Sequence, residues 1–211
     1  MLTIWGRTTS VNVQKVMWTV GELDLSCRRI DVGGRFGGLT SAEFRALNPN
    51  RLIPVLQDED LVLWESHAII RYLCAQYGSG TLWAVDARLR AEADQWMEWT
   101  STTLQPAFTG GVFWGFYRTP AQQRNWTAIT AALTRCAELF ALLDKVLSSR
   151  PYLGGDQFSM ADIAAGAQLY RYFTLDIERP HLPHVKAWYQ RLSQRHAYAG
   201  HVMVPYDELR G

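Results

Sequence analysis

Apolar and polar residues alternate over Leu2-Thr3-Ile4-Trp5, and after the polar turn from Gly6 to Ser10 the apolar positions fall three and four apart, at Val13, Val16, Met17 and Val20. This change of period predicts a strand followed by a helix. Cys27 to Val32 alternates again as a second strand, and the glycine-rich stretch Gly33 to Gly38 reads as a loop. Glu43, Phe44 and Leu47 allow a short helix that Asn48-Pro49-Asn50 stops. Val55-Leu56 and Leu61-Val62-Leu63-Trp64, joined by Asp58-Glu59-Asp60, read as a hairpin. From Ser66, the positions Ile69, Ile70, Leu73, Cys74 and Tyr77 share one helical face, which Gly78 closes. The predicted order is strand, helix, strand, short helix, two strands, helix.

Beyond Gly78-Ser79-Gly80 no strand-like alternation recurs, and long helical patterns take over. One such pattern runs from Arg88 to about Phe108, with Pro106 near its end, and another from about Thr119 to Leu147. In Phe158-Ser159-Met160-Ala161-Asp162-Ile163, Ser159 can cap a helix while Asp162 reaches back to the Ser159 amide and Phe158 staples onto Ile163. The helix so opened, Ala161 to about Phe173, is nearly uncharged, as a helix surrounded by others should be. The expected class is α+β with two domains: residues 1–78 with the strands, a linker at 79–86, and an all-helical region at 87–211.

Composition narrows the function. Hydrophobic residues make up 48% and charged ones 19%, the balance of a globular chain, and a net charge of +1 gives no electrostatic case for nucleic acid or an anionic membrane. The N-terminal MLTIWGRTTS lacks the charged start and apolar run of a signal peptide, so a cytoplasmic protein that does not enter the membrane is expected. Cys27, Cys74 and Cys136 are widely spaced and form no metal-binding cluster, which argues against a zinc site and reads as small buried hydrophobes.

Candidate chemistry gathers in two places. A proline opening a strand has no amide to give to the ladder. If Ile53-Pro54 is cis, the backbone of Ile53 turns from its own sheet and can pair with another extended peptide. Ser66, at the start of the next helix, offers a hydroxyl among unpaired amides that attract a carboxylate, and Glu65 beside it can hold an ammonium group. Together they suit the charged amino-acid end of a peptide.

The second place is the run Thr8, Thr9, Ser10 and Asn12 ahead of the first long helix. No histidine or acid adjoins it in sequence to act as a general base, so a serine-hydrolase triad is not supported. A hydroxyl there can instead donate to an anion such as a ligand thiolate. A hydrogen bond to a charged group contributes about 1.5 to 3 kcal/mol and a helix terminus about 0.3 to 1. Such energies would lower a thiol pKa from about 8.5 by roughly 1.5 to 3 units.

The hydroxyl run, the Ile-Pro-Val opening, the Glu-Ser helix start and a late Ser-x-x-Asp before a helical region together resemble the cytosolic glutathione transferases, of the bacterial serine/threonine type that is theta- or nu-like. The resemblance implies a thioredoxin-like N-terminal domain, an α-helical C-terminal bundle, a homodimer, glutathione as co-substrate without a metal, and a detoxifying conjugation to a hydrophobic electrophile. It implies that Ile53, before a cis Pro54, meets the cysteinyl backbone of glutathione and that Glu65 and Ser66 hold the γ-glutamyl end. It assigns sulfur activation to Ser10, with Asn12 beside it and Thr9 in reserve, and leaves open which hydroxyl of Thr8, Thr9 and Ser10 makes the contact. Leu39 stands where some classes place a histidine for the glycyl carboxylate, and Arg51 can take that task. Phe108, Phe113, Trp114, Phe116 and Tyr117 fall where the family builds its electrophile wall. A glutathione-dependent disulfide reductase or peroxidase, and a binding module without catalysis, are the rival readings on the same scaffold.

Overall fold

A computed structural model describes residues 1–211, which divide into two compact units, Met1–Ala84 with His196–Val204, and Val85–Arg195 with Pro205–Gly211. In the first unit β1 (Leu2–Trp5), α1 (Val11–Glu22), β2 (Cys27–Ile30), α2 (Ala42–Leu47), β3 (Val55–Asp58), β4 (Leu61–Trp64) and α3 (Ser66–Tyr77) follow in order. The sheet order is β2-β1-β3-β4, with β1 parallel to β2 and antiparallel to β3, and β3 antiparallel to β4. This is the thioredoxin-like arrangement expected from the family resemblance. The Gly33–Gly38 loop contains one 3-10 turn, Gly34–Phe36.

The alternation along β1 builds two cores. Leu2 and Ile4 pack with Val16 and Val20 of α1, Leu56, and Ile69 and Leu73 of α3. Trp5 joins Val32, Phe44 and Val55 in the other. Burial of each such side chain stabilises by about 1.5 to 3 kcal/mol, so a register slip of one residue in β1 would exchange the two faces at large cost.

The sequence reading counts all of 87–211 in the helical region, but His196–Val204 belongs to the first unit. The reason lies in α1. Trp18 meets Tyr198 edge to face at 4.7 Å, both fully buried, and a Cβ on Gly21 would come within 2.8 Å of Ala197 Cβ. Helix α9 (His196–His201) therefore covers a face of α1 that would otherwise expose an indole.

In the second unit α4 (Ala87–Trp99), capped by Asp86, widens into π-type turns over Thr100–Leu104 and Pro106–Arg118 rather than ending near Pro106. Gly111 and Gly115 face α5, where a Cβ would lie 2.7 Å from Ala132 Cβ and 3.1 Å from Ile129 Cγ1. α5 (Trp126–Leu147) begins later than its apolar pattern predicts, because Pro120 precedes it and Asn125 caps it through the Ala128 amide. By length and composition α5 is apolar enough to cross a membrane. Its Ile129, Cys136, Leu139, Phe140 and Leu143 are nevertheless buried on one face, and Arg135 pairs with Glu138 on the exposed side.

The predicted capping box is present, and it opens a helix shorter than expected. α6 (Met160–Gly166) and α7 (Leu169–Thr174) are separate helices, and α8 (Pro183–Ser193) follows. Asp162 is fully buried: Oδ1 accepts from the Leu153 amide at 2.9 Å and Trp188 Nε1 at 3.0 Å, and Oδ2 from the Ser159 amide at 3.0 Å. Burial pushes its carboxyl up to about 6 against these donors. The Phe158 ring meets Tyr152 and lies under Arg195.

Candidate functional site

The register of the sheet decides which loops meet. Trp5 pairs with Val55, and Val55 with Trp64, so the end of β1, the start of β3 and the end of β4 lie in one row. The residues just past that row are Gly6, Pro54 and Glu65. The loop after β1 thus converges at one end of the sheet with two loops far along the chain, those before β3 and after β4. Gly6 makes the approach possible, since a Cβ there would stand 2.3 Å from Val13 Cγ2 and 3.4 Å from Ile53 Cβ.

At the α1 side, Ser10 occupies the N-cap position with extended backbone (φ −87°, ψ 120°), yet its side chain makes no capping hydrogen bond. Its hydroxyl is half-buried and available to a ligand. Thr8 is exposed and Thr9 buried, while Gln14 Nε2 donates to the Thr8 carbonyl at 2.9 Å and steadies the loop. The Asn12 side chain points back to the helix, where its Oδ1 accepts from Lys15 Nζ at 3.2 Å.

At the β3 side, the Ile53–Pro54 bond is cis and Pro54 is buried. The backbone of Ile53 takes part in none of the loop and turn hydrogen bonds. Arg51, two residues earlier, is exposed in left-handed backbone (φ 57°), its amide donating to the Asn48 carbonyl. Between β4 and α3, Glu65 is exposed and held at φ 70°, ψ 114°, a conformation that costs a residue with a Cβ of order 1 to 3 kcal/mol. Strain of this kind persists where neighbouring structure enforces it, and here the Glu65 carbonyl is fixed by the Ile69 amide at 3.0 Å. Ser66 starts α3 and is buried at its N-terminus, where the first-turn amides have no acceptor within the helix.

Two polar side chains of this unit escaped the sequence reading. Lys15 is 1% exposed, and its Nζ lies 3.1 Å from His67 Nε2 on α3. Burial lowers the Lys15 amine to about 7, and the charge of Glu65 works in the opposite direction. On a helical wheel Lys15 looks like a solvated residue; nothing in its local sequence signals that α1 is enclosed on nearly every side.

The aromatic residues of the second unit divide by burial. Phe108 and Phe113 are fully buried, Phe108 against Phe140 and Tyr172 and Phe113 stacked on Tyr117 at 5.2 Å, so these two are core and not an open wall. Trp114 is 54% exposed with Arg118 over its ring. Tyr117, with Phe116, Tyr170, Tyr206, Arg124 and Arg210, lines a cavity of about 450 Å³. Tyr170 and Tyr206 come from segments no local motif joins to the run.

Protein thiols are poorly suited to chemistry here. Burial pushes Cys74 and Cys136 up to about 12 and raises Cys27 as well. No group of three or more His, Cys, Asp or Glu side chains is arranged to hold a metal ion.

This geometry finds close counterparts. Residues 5–81 match the glutathione S-transferase N-terminal domain, and residues 94–196 its C-terminal domain. The sequence is 44% identical to glutathione S-transferase GstB of Escherichia coli K12, over 97% of this chain and 99% of that protein. It is 31% identical to the disulfide-bond oxidoreductase YfcG of the same organism, over 88% and 87%. The crystal structure of a theta class glutathione S-transferase from Xanthomonas axonopodis pv. citri with glutathione bound superimposes with a TM-score of 0.93, at 48% identity, over 97% of this chain and 98% of that one.

Proposed function

The chain belongs to the glutathione S-transferase family, and we propose that within it Ser10 holds the thiol of glutathione as thiolate for attack on an apolar electrophile. The protein is a glutathione transferase; what this reading adds is the assignment of residues. The observation that carries it is the Ser10 hydroxyl, at a helix N-terminus and unused as a cap, on the same sheet end as Ile53 and the Glu65–Ser66 pair.

In this reading the Ile53 backbone pairs with the cysteinyl residue of glutathione. The Ser66 hydroxyl and the first amides of α3 take the γ-glutamyl carboxylate, the Glu65 carboxylate takes its ammonium, and Arg51 takes the glycyl carboxylate. The thiol proton leaves to solvent, since the bound sulfur is acidified by hydrogen bonding rather than by a base. The thiolate then forms the carbon–sulfur bond while the electrophile releases its leaving group, or opens an activated double bond whose carbanion takes a proton back from solvent. Of the three hydroxyls, Ser10 combines partial exposure with the helix-start position, whereas Thr8 is exposed ahead of it and Thr9 is buried; the Asn12 amide oxygen accepts from Lys15. For the electrophile, Trp114 offers exposed surface and Tyr117, though buried, borders the cavity, whereas Phe108 and Phe113 are core.

We assign the enzyme to the cytoplasm as a homodimer. In support of pairing, the first unit exposes Leu52 (60%) and Trp64 (39%), large apolar side chains that the core does not enclose.

The ultraviolet band of glutathione thiolate, followed against pH in the bound complex, tests the assignment. Ser10→Ala should raise the bound thiol pKa by roughly 1 to 2 units, the worth of one hydrogen bond to a charged group. An unchanged pKa would remove Ser10 from the mechanism. Similarity to YfcG keeps glutathione-dependent disulfide reduction as the second reading, and turnover of a small disulfide compared with that of an aryl halide separates the two.

A further inference from the structure

Lys15 bridges two helices, with Nζ 3.2 Å from Asn12 Oδ1 on its own helix and 3.1 Å from Nε2 of His67 on α3, 52 residues further along the chain. Asn12 lies two residues beyond Ser10, and His67 directly follows Ser66. We infer that Lys15 is a positioning residue that fixes the spacing between the sulfur end and the γ-glutamyl end of the glutathione site by holding Asn12 and His67 at once. The inference rests on the reading that Ser10 and Ser66 face those two ends.

The physical case begins with cost. An amine enclosed to this degree gives up hydration, and its lowered affinity for a proton, about 7 in place of 10.5, is the signature of that loss. A methionine would fill similar volume without the penalty, so what the amine contributes is its pair of hydrogen bonds. A neutral amine keeps two N–H groups and an ammonium three, so both partners can be held on either side of neutrality. His67 is itself only 7% exposed, which fixes where its ring can lie. Thus α1 and α3, which pack in one core on the sheet, are tied by side chains as well, through a residue just past Ser10 at one end and the residue after Ser66 at the other.

The test uses the full chain and two readouts. Binding of S-methylglutathione, which has no thiol, reports the γ-glutamyl end by calorimetry; the thiolate band of bound glutathione reports the sulfur end. Lys15→Met and His67→Leu should each weaken S-methylglutathione about tenfold, as loss of one charge-assisted hydrogen bond implies, and should also raise the bound thiol pKa. His67→Gln, which keeps an acceptor for Nζ, should stay within about twofold of the parent in both, by the same energies. A merely structural role would lower the unfolding midpoint and leave both readouts where they were, and that result in the folded variants overturns the inference. Should Lys15→Met not fold, equal behaviour of His67→Leu and His67→Gln overturns it as well. If S-methylglutathione binding is unaffected by Ser66→Ala, the underlying assignment of the site falls and this inference with it. If Ser66→Ala weakens binding and Lys15→Met does not, the inference alone falls.

Discussion

Lys15 gives the sharpest prediction about stability, because its proton affinity differs so much between the folded and unfolded chain. In the native protein the amine sits at about 7 and in the unfolded chain at 10.5. Between those values the unfolded state binds more protons, so stability rises with pH: the contribution is complete above 10.5 and is lost as pH falls through 7. With native and unfolded values of about 7 and 10.5, the change from pH 7 to pH 9 is roughly 2 kcal/mol in favour of the native state. Other groups titrate in this range too, so the quantity to measure is the difference between the parent and Lys15→Met, in which they cancel. Urea unfolding at pH 7, 8 and 9, at one fixed protein concentration, supplies it. The parent should gain on the variant by about 2 kcal/mol across the series. A difference that stays flat within about 0.5 kcal/mol would refute the claim that Lys15 is desolvated in the native state, since flatness over two pH units requires equal proton binding in both states.

Asp162→Ala removes the capping box and leaves the Leu153 amide and Trp188 Nε1 buried without an acceptor, so urea unfolding should show a loss of about 3 to 5 kcal/mol. A loss under about 1 kcal/mol would mean that water or another acceptor reaches those donors. Iodoacetamide at pH 7 should leave conjugating activity intact under native conditions, because Cys74 and Cys136 at about 12 carry roughly one thiolate in 100,000; activity that falls in step with free thiol count would contradict this. Leu52→Glu should shift the proposed homodimer toward monomer by light scattering, with the far-ultraviolet spectrum unchanged, because it replaces an exposed apolar side chain with a charge.

What could be read from the sequence alone is what short-range physics writes into it. The Ser159–Asp162 capping box closes within one turn, and Asn48-Pro49-Asn50 ends α2 whatever surrounds it. The order of strands and helices through Tyr77 follows from changes of period that each segment carries by itself. Ser10, Pro54, Glu65 and Ser66 were visible for the same reason, each sitting where a loop meets a strand or a helix. Tertiary structure decided the rest. The row of Trp5, Val55 and Trp64 is a property of strand pairing, and it brings three separate loops to one end of the sheet. Which aromatic residues stay open, Trp114 rather than Phe108, depends on neighbours such as Phe140 and Tyr172 that are distant in sequence. Helix α9 and the buried contact of Lys15 with His67 depend on α1 being enclosed from several directions. Caps and periodicities join residues a few positions apart, whereas burial is settled by every element that comes to lie on a face, and a helix shows its partners only once the chain has packed.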